Sequence, residues 1–152
     1  MNHRISAGAL VEHHGRLLLV RHRKQDSYDF WVAPGGGVQG AETLTAAAER
    51  EVREETGLIV VAERIVYVEE FHNPETRHCK FWLQARLVGG ELSVDAPEAT
   101  AEHIVDAAWH TEDQIQKLQV FPAILRERYW EDRRAGVMYE VPYMGLRAMD
   151  FW

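Results

Sequence analysis

The sequence predicts an α/β protein in which a mixed β-sheet lies between helices. Runs of β-branched and apolar residues fall on both sides of one acidic helical segment, and a second helical region follows near the end of the chain. No internal repeat or interdomain linker interrupts the 152 residues. A chain of this length buries a full core, so we expect a single domain over residues 1–152.

Strands are predicted on both sides of the acidic helix. The apolar run over residues 17–23 indicates a strand buried on both faces. Gly89-Gly90 predicts a two-residue turn into a further strand over 91–94. The remaining predicted strands cover residues 5–12, 30–33, 58–62, 65–72, 79–88 and 104–109. Residues 95–102 are predicted as an acidic loop, and helices are expected over 111–118 and 122–136.

The acidic helix is predicted from signals at both of its ends. Thr43 is a suitable N-cap, and Gly57 can adopt the left-handed conformation that closes a helix. Between them, apolar residues recur at helical spacing and predict a buried stripe, formed by Leu44, Ala47, Ala48 and Val52.

The same helix carries three carboxylates on one face. Glu51, Glu54 and Glu55 stand at i, i+3 and i+4, where like charges repel and weaken the helix. A bound cation would offset that cost, because Mg²⁺ prefers oxygen ligands. The alternative is a solvated acidic face with i,i+4 ion pairs, Glu49 with Arg53 and Arg50 with Glu54. Charge pattern alone favours this alternative.

A longer pattern reverses that choice. From Gly36, five residues lead to Glu42 and seven more to Arg50-Glu51-Val52-Arg53-Glu54-Glu55-Thr56-Gly57-Leu58. This segment resembles the complete signature of the Nudix hydrolases, and residues 31–35 resemble the family's lead-in. The resemblance implies an α/β/α sandwich. It also implies metal-dependent hydrolysis of a phosphoanhydride in a nucleoside diphosphate linked to another group.

The resemblance further implies a role for individual residues. Glu51, Glu54 and Glu55 would ligate Mg²⁺ or Mn²⁺, and the backbone carbonyl of Gly36, or of Gly35, would add an oxygen. One of the crowded carboxylates would act as the base, because such groups raise one another's pKa. Arg50 would orient the acids, and Glu42 would steady the loop or helix. Glu102 is similar to a glutamate that joins the catalytic site in some members; the alternative is a solvated loop acid.

Two other glycine motifs overlap this segment and are excluded. Gly35, Gly37 and Gly40 fit the dinucleotide-binding pattern, but the chain has too few helical runs between strands for repeated βαβ units. The same glycines begin a P-loop pattern, but Ala41-Glu42 stands where Lys-Ser/Thr is required.

Arg21 and Arg23 are candidate substrate-binding residues. Side chains alternate along a strand, so both point to the same side. They either neutralise a substrate phosphate or are exposed charges at the strand end. Nearby Tyr28, Phe30 and Trp31 either stack on a base or belong to the core.

Composition limits the partners. A net charge of −7 argues against a broad, sequence-independent grip on nucleic acid, but a bound divalent metal still permits a nucleotide-type small molecule. A single cysteine excludes an intrachain disulfide, and no apolar run reaches membrane-spanning length. We therefore expect a cytoplasmic protein without a membrane partner.

Two further questions stay open at this level. A Nudix fold that senses nucleotides without turnover is the alternative function, although three intact carboxylates favour catalysis. The segment 138–152 is rich in aromatic and aliphatic side chains, which would leave a large exposed patch if unpacked. We expect it to pack on the domain or on a second subunit, as in a homodimer.

Overall fold

A computed structural model describes residues 1–136 and 141. Within this part of the chain, the strands are β1 (Asn2–His13), β2 (Arg16–Lys24), β3 (Tyr28–Val32), β4 (Gly35–Gly37), β5 (Leu58–His72), β6 (Thr76–Gly90), β7 (Ile104–His110) and β8 (Val120–Phe121). The helices are α1 (Leu44–Thr56), α2 (Pro97–Ala101), α3 (Glu112–Gln116), α4 (Ile124–Glu127) and α5 (Tyr129–Ala135).

The strands form one mixed sheet, as the sequence predicts. The hydrogen-bonded order is β5-β6-β1-β2-β3-β8, with β4 paired to β1 and β7 paired to β2. β1 lies parallel to β6 and antiparallel to β4 and β2. β5 and β6 form a long antiparallel hairpin whose register runs from Leu58↔Gly90 to His72↔Arg77. The sheet with helices on it confirms the predicted fold class.

Helix α1 begins and ends where its local signals predict. The Thr43 hydroxyl accepts a hydrogen bond from the Ala46 backbone N–H at 3.1 Å. Gly57 closes the helix at φ 73° and donates its N–H to the Arg53 carbonyl at 2.9 Å. The predicted stripe is buried in a core shared with β1, β5 and β6, and comprises Leu44, Ala47, Ala48 and Val52. Burial of the stripe fixes the rotation of α1 and therefore the direction of its carboxylates.

The apolar run of β2 is buried on both faces, as predicted. Residues 17–20 are all at most 1% exposed. Leu18 packs into the core under α1, whereas Leu17 and Leu19 pack into a second core. Side chains from α4 and α5, including Leu125 and Trp130, complete this second core.

Four predicted elements differ from the structure: a turn, a strand, a loop and a helix. Gly89-Gly90 forms no turn: β6 continues through both residues, and residues 91–94 are not a strand. Gly90 lies so close to the Gly57–Leu58 backbone that a Cβ would overlap it, so this glycine permits close approach. The predicted acidic loop contains α2. The predicted helix over 122–136 is divided at Arg128, whose backbone (φ −148°) is not helical.

Val141 is the one residue after Gly136 that the structure describes, and it forms an isolated bridge with Ile65. The rest of the apolar segment 138–152 lies outside the described residues, so its packing and the homodimer stay predictions. Across the described residues, each helix is too short or too polar to cross a membrane.

Candidate metal and substrate site

Helix α1 directs Glu51 and Glu55 towards β4, and Glu54 lies beside Arg50 on the same helix. Glu51 and Glu55 are 4% and 2% exposed, and the Glu54 side chain is 28% exposed. The glycine strand lies directly against this face, because a Cβ at Gly36 would fall 2.5 Å from Glu51 Oε1. The backbone of the glycine segment therefore shares one small space with the carboxylates.

Arg50 connects the acids to the glycine segment. Its Nη1 donates to Glu51 at 2.8 Å and to Glu54 at 3.0 Å. Its Nε and Nη2 donate to the Glu42 carboxylate at 3.1 and 2.7 Å. Nη2 also donates to the Gly37 carbonyl at 3.0 Å. Glu42 in turn accepts from the Gln39 backbone N–H, so the loop, the arginine and two of the three acids form one network.

Glu55 has no comparable partner. Both of its carboxyl oxygens are buried, and neither has a hydrogen-bond partner in the described part of the chain. Burial raises the pKa of this carboxyl well above its usual value, and Glu51 and Glu102 raise it further. The nearby backbone amide of Gly35 acts in the opposite direction and lowers the pKa of Glu55, although its geometry is not that of a hydrogen bond. Burial also raises the pKa of Glu51, against the effect of Arg50.

Glu102 joins this group from the end of α2, a helix that contacts α1. It follows α2 directly and is exposed. One oxygen each from Glu55 and Glu102 and a ring nitrogen of His22 lie within 4.8 Å of one another. The structure therefore brings Glu102 to the α1 acids, and it adds His22, a residue of β2 that the sequence reasoning did not identify.

Lys80 of β6 is a second residue that the sequence reasoning missed. Its ammonium lies 4.4 Å from the centre of the Trp82 ring. Burial lowers the pKa of Lys80, and the charges of Glu55, Glu69 and Glu51 oppose that shift. The side chain is thus a half-buried cation beside the acidic group.

A cavity of about 520 Å³ opens next to Lys80. Its walls are mainly apolar and include four aromatic side chains, and its polar lining includes the Glu69 carboxylate, which accepts a hydrogen bond from Trp82 Nε1 at 2.9 Å. Phe30 lies edge-on to Phe121 at 5.4 Å on one side of it. The main lining residues are Phe30, Glu69, Phe71, Lys80, Trp82 and Phe121.

Comparison with protein families identifies the domain. The model of the NUDIX domain matches residues 1–130, which is most of the chain. The chain belongs to the NUDIX family. An RNA pyrophosphohydrolase from Caulobacter vibrioides is 37% identical over 125 residues, with 70% of each chain covered.

Other NUDIX relatives share a shorter region. The human 8-oxo-dGDP phosphatase NUDT18 is 36% identical over 94 residues, and an ADP-ribose pyrophosphatase from Methanocaldococcus jannaschii is 29% identical over 99 residues. Each match covers 62% of this chain, but it spans 28% of the human protein and 59% of the archaeal one.

Solved NUDIX structures share the whole architecture. A NUDIX hydrolase from Nitrosomonas europaea superimposes with a TM-score of 0.73 at 24% identity, over 92% of this chain and 96% of that one. The MutT protein from Methanosarcina mazei Go1 superimposes with a TM-score of 0.68 at 25% identity, over 89% of this chain and 96% of that one.

Arg21 and Arg23 lie apart from the acidic group of this NUDIX domain. Arg21 donates two hydrogen bonds to Asp29, at 2.8 and 2.7 Å. Arg23 Nε lies 3.9 Å from the same carboxylate. Alternation along β2 directs both side chains away from the face that carries His22. Their role in substrate binding stays a prediction, and it requires Arg21 to exchange Asp29 for a phosphate.

The ion pairs predicted for α1 are partly present. Arg50 and Glu54 pair as expected. The predicted pair of Glu49 with Arg53 is replaced by a hydrogen bond from the Ala62 backbone N–H to Glu49 at 3.0 Å. Glu49 therefore fastens α1 to β5 and is not a freely solvated carboxylate.

Proposed function

We propose that this protein hydrolyses a phosphoanhydride bond in a nucleoside diphosphate linked to another group, with Mg²⁺ or Mn²⁺ as cofactor. The observation that carries the proposal is the buried Glu55 carboxylate, which has no partner among the described residues and lies beside Glu51 and Glu102. A divalent cation would supply the missing partner. An array of carboxylate oxygens is the donor set that Mg²⁺ and Mn²⁺ prefer, so the residues fit the metal.

In this proposal the acidic residues have different roles. Glu51, Glu54, Glu55 and Glu102 hold the metal, together with the Gly36 carbonyl. A bound divalent ion lowers the pKa of water and stabilises charge on phosphoryl oxygens. Arg50 fixes the carboxylates of Glu51 and Glu54 through the hydrogen bonds described above. Glu54 is the most exposed of the three α1 acids, so it is the best placed to take the proton of an attacking water.

The aromatic cavity would hold the base. Rings accept a nucleobase by stacking, and Phe30 and Phe121 border the cavity. Lys80 stands between the cavity and the acids, where its ammonium would meet the phosphate nearest the nucleoside. The names of the relatives agree with this substrate class, since 8-oxo-dGDP and ADP-ribose both contain a nucleoside diphosphate.

Turnover is favoured over nucleotide sensing. All three α1 carboxylates are present, and the relatives are named as phosphatases, pyrophosphatases and pyrophosphohydrolases. A net charge of −7 favours a small nucleotide over a long nucleic acid. The cytoplasmic location and the homodimer remain expectations from the sequence.

The test is a phosphate and pyrophosphate release assay over nucleoside triphosphates, ADP-ribose, dinucleoside polyphosphates and nucleotide sugars, with Mg²⁺ or Mn²⁺. We expect Glu54→Gln and Glu55→Gln to reduce kcat at least about a hundredfold on the best substrate. The matched control is Glu63→Gln, which removes only an exposed ion pair with Arg86. Equal losses in all three variants, or full activity in the first two, would contradict the proposal.

A stability measurement tests the metal separately. A ligand that binds only the folded state stabilises it by about 2.7 kcal/mol at a hundredfold excess over its dissociation constant. We expect Mg²⁺ or Mn²⁺ to raise the melting temperature of the wild type and to raise that of Glu55→Gln much less. The metal-free variant should be at least as stable as the metal-free wild type, because it has lost a buried carboxylate without a partner.

A further inference from the structure

We propose that His22 is a nitrogen ligand of the bound metal, so that the centre prefers Mn²⁺ or Co²⁺ over Mg²⁺. This inference rests on the proposed function, because it assumes a divalent metal at Glu55 and Glu102. It assigns a role to a β2 residue that lies outside the glycine-rich segment and α1.

The placement of the ring is the first argument. A ring nitrogen of His22 and oxygens of Glu55 and Glu102 all lie within 4.8 Å of one another. Glu55 contributes buried oxygens with no partner within the described residues. Three donors gathered around a buried carboxylate of this kind form a site that a cation would complete.

The other ring nitrogen fixes the orientation. His22 Nδ1 lies 3.0 Å from the backbone carbonyl of Glu102. Because a carbonyl can only accept, Nδ1 carries the hydrogen and Nε2 keeps its lone pair. Metal-ligating histidines commonly hold the second ring nitrogen in this way, with a carbonyl or carboxylate as acceptor. Nε2 is therefore the nitrogen available to the metal.

The surroundings hold the ring at this position. His22 stacks on Phe30 at 5.4 Å with an interplanar angle of 11°. The pairing of β2 with β3 is regular from Val20 to Lys24 and places His22 directly opposite Phe30, whereas the register shift against β7 falls at the extra β7 residue Val105. The Arg23 backbone N–H donates to the His103 carbonyl at 3.0 Å, so β2 and the Glu102 segment are joined twice. These two hydrogen bonds fix the distance between His22 and Glu102.

The chemical consequence is a change in metal preference. Mg²⁺ takes oxygen ligands almost exclusively, whereas imidazole suits later transition metals. A site with one imidazole and several carboxylates should therefore gain affinity along the series Mn²⁺ to Co²⁺ and gain little for Mg²⁺. Removal of the imidazole should reverse this gain and leave the carboxylate site in place.

Two variants separate ligation from support of the Glu102 segment. His22→Asn keeps an amide N–H near the Nδ1 position, where it can still donate to the Glu102 carbonyl, but it removes Nε2. His22→Gln keeps a polar group near the Nε2 position and removes that donor. His72→Asn, at an exposed histidine of β5, is the matched control. Metal affinities would be measured by titration calorimetry on the full chain, and Mn²⁺ coordination by electron spin-echo modulation from ¹⁴N.

We expect ¹⁴N modulation in the Mn²⁺-loaded wild type and in His72→Asn, and none from a directly bound nitrogen in His22→Asn. Co²⁺ affinity should fall about 10–100-fold in His22→Asn while Mg²⁺ affinity changes less than threefold. Unchanged modulation or an unchanged Co²⁺-to-Mg²⁺ affinity ratio in His22→Asn would overturn the inference and leave the proposed function intact. Failure of the wild type to bind any divalent metal would instead overturn both.

Discussion

The carboxylate of Glu51 occupies the space in which a side chain at position 36 would lie. A Cβ at Gly36 would approach Glu51 Oε1, Cδ and Oε2 to 2.5, 2.6 and 2.8 Å. The carboxylate cannot move away freely, because Arg50 holds Oε1 at 2.8 Å. Residue 36 is therefore limited to glycine by its contact with a proposed metal ligand.

Gly36→Ala should displace Glu51 and weaken the metal site without unfolding the protein. We expect kcat to fall about tenfold to a hundredfold, because small displacements of catalytic groups have large effects on rate. The apparent affinity for Mn²⁺ should fall in the same variant. Gly89→Ala is the control, since a Cβ there would meet only Ile59 Cδ1 at 4.0 Å. Equal rates in the two variants would show that the Glu51 carboxylate does not need this position.

Arg50→Lys tests whether the arginine acts through its geometry or through its charge. The substitution keeps one positive charge, but the three donors on a single nitrogen cannot replace the five hydrogen bonds that the planar Arg50 guanidinium makes. We expect a loss of about 1–3 kcal/mol in the free energy of unfolding, measured with denaturant, and a fall in kcat of at least about tenfold. Arg53→Lys, on the exposed side of α1, should change neither quantity appreciably. Wild-type rates in Arg50→Lys would mean that charge alone suffices.

Phe121→Ala tests the aromatic cavity. Phe121 is 44% exposed, so its removal should change stability little. If it stacks on the base, the loss of about 1–3 kcal/mol of stacking should raise KM roughly 5–150-fold for the best substrate, with kcat nearly unchanged. Val88→Ala removes an apolar side chain of similar exposure, 48%, from β6 as the control. A change in kcat with constant KM would place Phe121 outside the base site.

His110 should make folding stability depend on pH. It is 7% exposed, and burial lowers its pKa below the ordinary value of a histidine. The unfolded chain therefore takes up a proton that the folded protein resists, so stability falls as the pH drops from about 6.5 towards the lowered pKa. We expect His110→Gln to lose less unfolding free energy than the wild type between pH 7.5 and 5.5. Parallel pH profiles for the two proteins would refute this assignment.

The parts of the fold that short-range signals determine could be predicted from the sequence. Thr43 and Gly57 cap α1 because their side-chain and backbone preferences act within a few residues. The turn predicted at Gly89-Gly90 is wrong because position 90 requires glycine for another reason. A side chain there would overlap the backbone of Gly57 and Leu58, which are distant in sequence. The interruption at Arg128 also escaped prediction, because the residues on both sides of it have the charge pattern of one continuous helix.

Some residues of the candidate site could also be predicted from local sequence, and others could not. Spacing along one helix places Glu51 and Glu55 together, and the glycine-rich segment precedes it directly. His22 and Lys80 each belong to a strand that also pairs with a distant part of the chain, β7 for His22 and β1 for Lys80, and no local pattern shows which way these two side chains face. The position of Glu102 beside Glu55 came only from the family resemblance, because its own surroundings are those of an ordinary acidic loop.

The acids and the aromatic cavity are built on different parts of the chain. Glu51, Glu54 and Glu55 stand on α1, whereas the cavity is lined from β3, β5, β6 and the segment that begins at Phe121. Phe30 and Lys80 connect the two parts, because Phe30 stacks on His22 and Lys80 interacts with the charges of Glu55 and Glu51. Substitutions elsewhere in the cavity change the lining while the proposed metal ligands on α1 stay the same. Duplicated copies of such a gene can therefore diverge towards new substrates while each copy retains its hydrolytic chemistry.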